Sequence, residues 1–145
     1  MIEMRTLPCG SKLLTEYMPN MQSVAVGIWV RTGAVNETPG NAGISHFIEH
    51  MTFKGTKKRT YAEIAEDMER IGGQMNAFTG KEGTCYYMKT LASNMETGLE
   101  ILLDMFCDSV FDPEEMEREK KVIYEEMKMI GEFTGAYKHL PVYLD

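Results

Sequence analysis

The sequence predicts an α+β fold in which a mixed, largely antiparallel sheet is covered by packed helices. Three observations lead to this prediction: short segments rich in β-branched and aromatic residues, tight turns that join two pairs of them, and helical segments that begin with capping signals. At 145 residues, with 43% hydrophobic and 26% charged side chains, the chain has the size and composition of one soluble globular domain.

Five segments are predicted as β-strands, and two pairs of them are predicted to form hairpins. The first hairpin turns at residues 8–11, where Pro and Gly interrupt two short extended runs. The second turns at residues 80–83, which contain two glycines. The predicted strands are residues 4–7, 12–17, 23–31, 74–79 and 84–91.

Two helices are predicted in the first half of the chain. Asn41 is the expected N-cap of a helix that reaches about Lys54, and Gly55 can end it. The second helix starts with a capping box at residues 60–63 and stops at the glycines of residues 72–73. Its apolar face is predicted to hold Ile64, Ala65, Met68 and Ile71.

Two further helices are predicted in the second half. A capping box at residues 93–96 opens the third helix. Asp112 and Pro113 begin the fourth, which extends to about Ile130. The apolar faces are predicted to hold Leu99, Leu102, Leu103 and Phe106 in the third helix, and Met116, Ile123, Met127 and Ile130 in the fourth.

The net charge and the lengths of the apolar runs argue against several classes of partner and against a membrane-spanning segment. The net charge of −7 argues against nucleic acid and against anionic membrane surfaces as partners. Apolar runs such as residues 24–30 are too short to span a bilayer, and residues 1–5 lack the pattern of a secretory signal. The three cysteines, Cys9, Cys85 and Cys107, form no spacing motif, so we expect reduced, structural cysteines in a cytoplasmic protein.

The segment HFIEH at residues 46–50 is the sharpest chemical feature of the sequence. In a helix, residues four apart lie on the same face, so His46 and His50 can place two imidazoles on one metal ion, with Glu49 bordering that face. The other side is apolar and carries Ile44, Phe47, Ile48 and Met51. Two surface histidines on an amphipathic helix are the alternative, but the intervening glutamate and the apolar residues favour a zinc site of the inverted peptidase type.

A hydrolytic zinc site needs a third protein ligand, and the last predicted helix offers one. Glu126 lies among apolar neighbours and shares a face with Glu119, seven residues earlier. A solvated surface role is the alternative for both. Glu125 points about 100° away, toward basic residues on a face that looks solvated, so the comparison favours Glu126. Glu119 could then orient a ligand histidine, and Glu49 could act as general base.

Three stretches of the sequence resemble the pitrilysin and insulinase family of inverted-motif zinc peptidases, and are closest to its bacterial and mitochondrial processing-peptidase branch. They are residues 46–56, 72–79 and 111–126. The resemblance covers residues 1–130 and implies a zinc-peptidase N-terminal lobe, an incomplete first lobe of the family's α/β roll. The tail at residues 131–145 does not resemble the family's continuation.

The resemblance implies a role for each residue of the candidate site. His46, His50 and Glu126, which follows His50 by 76 positions, fall on the zinc ligands. Glu49 falls on the catalytic base, and Glu119 on an acidic residue that supports the site. The implied cofactor is Zn²⁺, and the implied substrate is a peptide cleaved by metal-activated water.

The resemblance also implies where the substrate binds. The strand at residues 74–79 is similar to the family's edge strand, which takes substrate by β-addition, with Asn76 and Ala77 nearest the scissile bond. Without the resemblance, this strand would be interpreted as an ordinary hairpin arm.

Family members are much longer than this chain, and in them a second related lobe closes over the peptide and contributes Arg and Tyr groups. The resemblance therefore implies an endopeptidase lobe that needs a complementary lobe or self-association. One alternative is a catalytically incomplete remnant that binds peptide or a partner through its edge strand. Another is a purely structural domain that binds no metal.

Overall fold

The structure is a computed structural model that describes residues 2–134, with the backbone alone at Met127 and at residues 130–134. The described strands are β1 (Ile2–Thr6), β2 (Lys12–Glu16), β3 (Ser23–Val30), β4 (Gln74–Thr79) and β5 (Thr84–Leu91). The described α-helices are α1 (Ile44–Thr52), α2 (Tyr61–Arg70), α3 (Met95–Asp108) and α4 (Pro113–Thr134). The predicted α+β class is confirmed.

The main sheet has three antiparallel strands in the order β3-β5-β4. The central strand β5 pairs with β3 from Ser23↔Leu91 to Val30↔Thr84, and with β4 from Gln74↔Lys89 to Thr79↔Thr84. Among the described strands, β4 therefore has a partner on one side only, as predicted for an edge strand.

The first two strands form a hairpin that is separate from the main sheet. β1 pairs with β2 in register from Ile2↔Glu16 to Thr6↔Lys12. Every residue of both strands is exposed. The hairpin was predicted, but its separation from the sheet was not.

The core lies between one face of the sheet and helices α2 and α3. Alternate residues of β5 are buried against these helices, as the period of a strand requires. Helix α3 approaches β5 closely, since a Cβ added at Gly98 would lie 3.1 Å from Sδ of Met88. The buried cluster consists of Ile64, Met68, Tyr86, Met88, Ile101, Leu102 and Met105.

A second, smaller core joins α1 to α4. Phe47 and Met51 of α1 and Ile123 of α4 are 3%, 0% and 1% exposed, and Ile44 and Met116 pack against them. The apolar sides predicted for the two helices therefore meet through these five residues, but Ile48, also predicted to anchor α1, is 40% exposed. This contact brings the candidate ligands of α1 and α4 to the same end of the molecule.

The prediction that Asn41 caps the first helix is wrong. Asn41 ends a short 3-10 turn, and its side chain accepts a hydrogen bond from the backbone of Thr38. The N-cap of α1 is Gly43, two residues after Asn41, and its φ of 89° lies in the left-handed region. The sharp turn at Gly43 moves the helix start away from Asn41.

The predicted start and inner face of α3 also need correction. Ser93 belongs to a 3-10 turn, and the N-cap Asn94 makes no side-chain capping bond, while its Nδ2 donates to the carbonyl of Ile71 at 3.0 Å. Leu103 and Phe106, predicted as core, are 43% and 36% exposed. Packing against β5 instead buries the face of α3 that carries Ile101, Leu102 and Met105.

An ionic cluster ties the segment between α1 and α2 to helix α3. Arg59 donates to Asp67, Glu100 and Asp104, at 2.9, 2.6 and 2.7 Å. Thr56 Oγ1 also donates to Asp104, at 2.8 Å. Burial of the Asp104 carboxyl would raise its pKa, but the bonds from Arg59 and Thr56 hold that pKa below its usual value of 3.8.

The described part of the chain bears on three further predictions. Across residues 2–134, no helix is long and apolar enough to cross a membrane, while the cytoplasmic location stays a prediction. Cys85 is buried, but Cys9 and Cys107 are exposed, so core packing accounts for only one of the three cysteines. Helix α4 extends past Ile130 to Thr134, and the rest of the predicted tail lies outside the described residues.

Candidate metal centre

Helix α1 holds His46, Glu49 and His50 on the side away from its buried face. Its first turn is capped from outside by Glu37, whose carboxylate accepts from the backbone N–H of Gly43 at 2.7 Å and of Ser45 at 2.9 Å. Burial would raise the pKa of Glu37, but these two donors lower it below its usual value. A fixed carboxylate at the N-terminal end of α1 stabilises the helix that presents the histidines.

The structure brings His46, His50 and Glu126 together. The two Nε2 atoms of the histidines lie 2.9 Å apart, and their rings meet edge to face with centroids 4.4 Å apart. Oε2 of Glu126 lies 3.9 Å from Nε2 of His46 and 3.7 Å from Nε2 of His50. The three ligand atoms are all within 4.8 Å of one another.

These distances fit a metal ion of the size of zinc. Zinc bonds to imidazole nitrogen and carboxylate oxygen at about 2.0–2.2 Å, so two ligand atoms on a tetrahedral ion lie about 3.3–3.6 Å apart. The observed separations of 2.9, 3.7 and 3.9 Å fall on both sides of that range. The side chains of His46, His50 and Glu126 are 36%, 21% and 43% exposed, which leaves a side of the group open to a further ligand.

Glu119 lies directly behind His50. Its Oε1 is 2.7 Å from Nδ1 of His50, and its Oε2 is 2.6 Å from Nζ of Lys54, while the Glu119 side chain is only 5% exposed. Burial would raise the pKa of Glu119, but the contacts with Lys54 and His50 lower it below its usual value. The carboxylate is therefore held in its charged form, as an acceptor for the Nδ1 proton of His50.

Glu49 stands apart from the three candidate ligands and faces the edge strand. Its carboxylate accepts a hydrogen bond from the hydroxyl of Thr79, the last residue of β4. Glu49, which borders the histidine pair, thus lies at the end of β4, the strand with the unpaired edge. A base at this position can act on a molecule that lies along β4.

Glu125 and Glu126 have different environments, as the helical geometry predicts. The side chain of Glu125 is 66% exposed and forms an ion pair with Lys128 at 3.0 Å. Val122, predicted to share the face of Glu126, is 45% exposed, whereas Glu119 on the same face is 4% exposed, so this face of α4 is buried only in part.

The two residues predicted to contact substrate lie in the middle of β4. Asn76 is exposed and Ala77 is partly buried. The N–H of Gly80 donates to the carbonyl of Gly83, so Gly80 directs its backbone groups toward the partner strand. This direction alternates from residue to residue, so the backbone groups of Ala77, three residues earlier, point to the unpaired edge. The Ala77 N–H is covered by the side chain of Asn76, whose Oδ1 accepts it at 2.8 Å.

Sequence reasoning missed three residues of the site: Glu37, Lys54 and Thr79. Lys54 follows His50 by four positions, a spacing that could have indicated a cation near the histidine. Nothing in the sequence links Glu37 to the start of α1, or Thr79 to Glu49, because these contacts form only when the chain folds.

Comparisons with known proteins found relatives that are named as proteases. The zinc protease YmxG of Bacillus subtilis, described as uncharacterized, is 51% identical over 139 residues, which are 96% of this chain and 34% of YmxG. The mitochondrial-processing peptidase subunit beta of Blastocladiella emersonii is 39% identical over 124 residues, 86% of this chain and 27% of that subunit.

A crystal structure of a protease from Helicobacter pylori superimposes with a TM-score of 0.84 at 29% sequence identity, covering 89% of this chain and 31% of that protein. The chain thus spans about a third of the length of the proteins it matches. The family described as insulinase, peptidase family M16, matches residues 12–139. Because this match covers most of its length, the chain belongs to the insulinase family of peptidases.

Proposed function

We propose that this chain is the metal-bearing lobe of a zinc-dependent endopeptidase that cleaves peptides or unfolded segments. The observation that carries the proposal is the convergence of His46, His50 and Glu126, whose ligand atoms lie within 4.8 Å of one another at the junction of α1 and α4. The names of the relatives, which include zinc proteases and a processing-peptidase subunit, support the same function.

In this proposal, His46, His50 and Glu126 hold the zinc ion. Zinc in such a site supplies a Lewis acid that lowers the pKa of a water molecule and polarises a peptide carbonyl. The contact between Glu119 and Nδ1 of His50 supports the assignment, because a proton held at Nδ1 leaves the Nε2 lone pair directed at Glu126 and His46. Glu119 is thus a positioning residue.

Glu49 is the proposed general base. It borders the histidine pair but is not among the three groups whose atoms converge. A carboxylate there can accept a proton from the attacking water and return it to the departing amine. The hydroxyl of Thr79 holds Glu49 at the end of β4, where a peptide bound along that strand would place its backbone.

The proposed substrate site is the unpaired edge of β4, including Asn76 and Ala77. An extended peptide can add to this edge through main-chain hydrogen bonds. Since Oδ1 of Asn76 already accepts the N–H of Ala77, a peptide that bonds to Ala77 must displace the Asn76 side chain. In the empty strand, the Asn76 side chain covers the N–H of Ala77. When a peptide occupies the edge, the displaced side-chain amide of Asn76 is free to bond to that peptide.

Activity is proposed to need a complementary lobe. The three candidate ligands are 21–43% exposed, so the described residues leave the site open on one side. Transition-state stabilisation requires groups that converge on the reacting carbonyl from a site that excludes water. A related lobe, supplied by the rest of a longer protein or by a second subunit, would close this side.

Metal analysis tests the proposal without relying on activity. The purified chain should bind about one zinc ion per chain, and His50→Ala should abolish binding. Glu125→Gln is the control, because that side chain is exposed and bonds to Lys128 rather than to the histidines. Zinc retained at full stoichiometry by His50→Ala would overturn the ligand assignment.

A second candidate function is peptide binding without catalysis, which the unpaired edge of β4 favours. Fluorescence anisotropy with an extended peptide, and with the same peptide N-methylated at alternate residues, tests binding through the edge. Cleavage of the unmodified peptide when a complementary lobe is added would support the peptidase. Binding with no cleavage under any complementation would favour the peptide-binding function instead.

A further inference from the structure

The β1–β2 hairpin lacks a partner surface within the described residues. Ile2, Met4 and Leu14 lie on one face of the hairpin and are 65%, 67% and 63% exposed. The other face carries Glu3 and Arg5, whose side chains are 54% and 74% exposed. A two-stranded hairpin with both faces in water is at best marginally stable, so additional strands would stabilise it.

The free edge of β1 has hydrogen-bonding groups at known positions. In the turn, Leu7 donates to the carbonyl of Ser11 and accepts from Gly10, so Leu7 directs its backbone groups toward the second strand. Along an antiparallel strand this direction alternates from one residue to the next. By this alternation, Arg5 and Glu3 direct their backbone groups toward β2. The backbone groups of Ile2, Met4 and Thr6 therefore point outward, where no described strand pairs with them.

The side chains of β1 are self-complementary in one antiparallel register. When two copies of β1 are centred on Met4, Glu3 of each copy lies opposite Arg5 of the other, and Ile2 lies opposite Thr6. The adjacent registers centre on Glu3 or on Arg5, and each would place two like charges directly opposite each other. Opposite charges in cross-strand pairs stabilise a sheet and like charges destabilise it, so charge selects the register centred on Met4.

We propose that two copies of this chain pair through β1, antiparallel and centred on Met4, to form a continuous four-stranded sheet in the order β2-β1-β1-β2. The interface is isologous, because the same segment of each copy contacts its counterpart across a two-fold axis. The outward backbone groups of Ile2, Met4 and Thr6 are satisfied by the second copy. The inference does not depend on the metal centre, which lies on other elements.

The edge of β2 is the competing surface, and the structure favours β1 over it. Lys12 and Glu16 would also face each other in a pairing of two β2 strands, but Nζ of Lys12 already donates to Oγ1 of Thr6 at 2.7 Å. In β1, Glu3 and Arg5 contact each other at 2.9 Å on an exposed face. Pairing of two copies exchanges the one contact within each β1 for two equivalent contacts across the axis, and it breaks no bond between β1 and β2.

A charge-swap experiment tests the register. Glu3→Arg gives β1 two positive charges and Arg5→Glu gives it two negative charges, so each variant alone should dimerise about tenfold more weakly than the parent chain, or worse. An equimolar mixture should restore dimerisation, because opposite charges then face each other at both positions. The double variant Glu3→Arg/Arg5→Glu is the control and should dimerise as the parent does. Sedimentation velocity at matched concentrations measures each case.

Cysteine cross-linking locates the axis. In a chain in which Cys9→Ser and Cys107→Ser remove the two exposed thiols, Met4→Cys should form a disulfide-linked dimer under mild oxidation. Directly opposed residues of bonded pairs have Cα atoms about 5.5 Å apart, a separation that a disulfide can bridge. Leu14→Cys, on the same face of the hairpin, should cross-link much less.

Three results would overturn the proposal. A parent chain that stays monomeric at all concentrations would exclude the dimer. If the single-charge variants and the parent self-associated equally, the copies would be in contact through apolar surface and not in the proposed register. Efficient cross-linking through Leu14→Cys but not through Met4→Cys would assign the interface to β2.

Discussion

Nδ1 of His50 lies 2.7 Å from Oε1 of Glu119, a buried carboxylate whose second oxygen contacts Nζ of Lys54 at 2.6 Å. Helices α1 and α4 are thus joined by a polar contact at His50 and by the apolar contact of Phe47 and Met51 with Ile123. The apolar contact holds the two helices together, and the contact with Glu119 orients the imidazole ring before any metal binds. Such preorganisation determines how much affinity the site can achieve.

Glu119→Gln should weaken zinc binding roughly 10–100-fold, the usual effect of removing a residue that orients a ligand. An amide can still accept from Nδ1 of His50, but it carries no charge to pair with Lys54. Competition titration with a chromophoric chelator measures the affinity. Unchanged affinity in Glu119→Gln would show that the position of His50 does not depend on this carboxylate.

Glu126→Gln should weaken zinc binding more than Glu119→Gln does, because it removes a proposed ligand rather than its support. Glu125→Gln is the matched control, since Glu125 is exposed and pairs with Lys128. The same titration compares the three variants. Equal losses at positions 125 and 126 would contradict the orientation of α4 seen here.

Glu49→Gln should retain zinc and lose hydrolysis in an enzyme complemented with a second lobe, because an amide cannot accept the water proton. Zinc content and the rate of peptide cleavage are measured on the same preparation. Loss of the metal from Glu49→Gln would mean that Glu49 is a ligand rather than the base.

Ile123→Ala should destabilise the chain by about 2–5 kcal/mol, because this side chain is 1% exposed and fills the contact between α1 and α4. Val122→Ala is the control, since Val122 is 45% exposed. Urea denaturation measures stability, and chelator competition should show weaker zinc binding by Ile123→Ala alone. If zinc binding stayed at the parent level, α4 would be held against α1 by other contacts.

Asp104→Asn should lower stability by about 3 kcal/mol at neutral pH, because Asp104 is buried and accepts from both Arg59 and Thr56. The pKa of Asp104 is lowered in the folded state, so its stabilisation is present above the usual value of 3.8 and is lost as the pH falls through the folded pKa.

The stability difference between the parent chain and Asp104→Asn should therefore shrink as the pH is lowered from about 5 toward 2. Asp108→Asn, which removes an exposed pair with Lys57, should differ little from the parent throughout. Urea denaturation at a series of pH values gives the comparison. A difference that stays constant across this range would show that the charge of Asp104 contributes nothing to stability.

The parts of the site that lie within one element could be predicted from the sequence. His46 and His50 share a face because four residues make about one turn of any α-helix. The strands of the second hairpin, β4 and β5, were predicted at their observed bounds, since the turn and the flanking residues are local in sequence.

Local signals failed where another residue competed for the same backbone donors or for the same packing surface. Asn41 has the side chain of an N-cap, but Glu37 receives the donors of α1 because the chain turns sharply at Gly43. Leu103 belongs to an apolar run in α3, yet β5 packs against the neighbouring face. Propensity and spacing identify candidate helix caps and buried faces, and tertiary packing determines which of them form.

By itself, the sequence determined which side chains could bind a metal and the faces on which α1 and α4 present them, because helical periodicity is a property of the local backbone. Only the tertiary structure decided that Glu126 approaches His50 to 3.7 Å, that Lys54 and His50 share the carboxylate of Glu119, and that Thr79 holds Glu49. The reason is that these distances depend on the burial of Phe47, Met51 and Ile123 against one another, a packing of distant segments that no local pattern specifies.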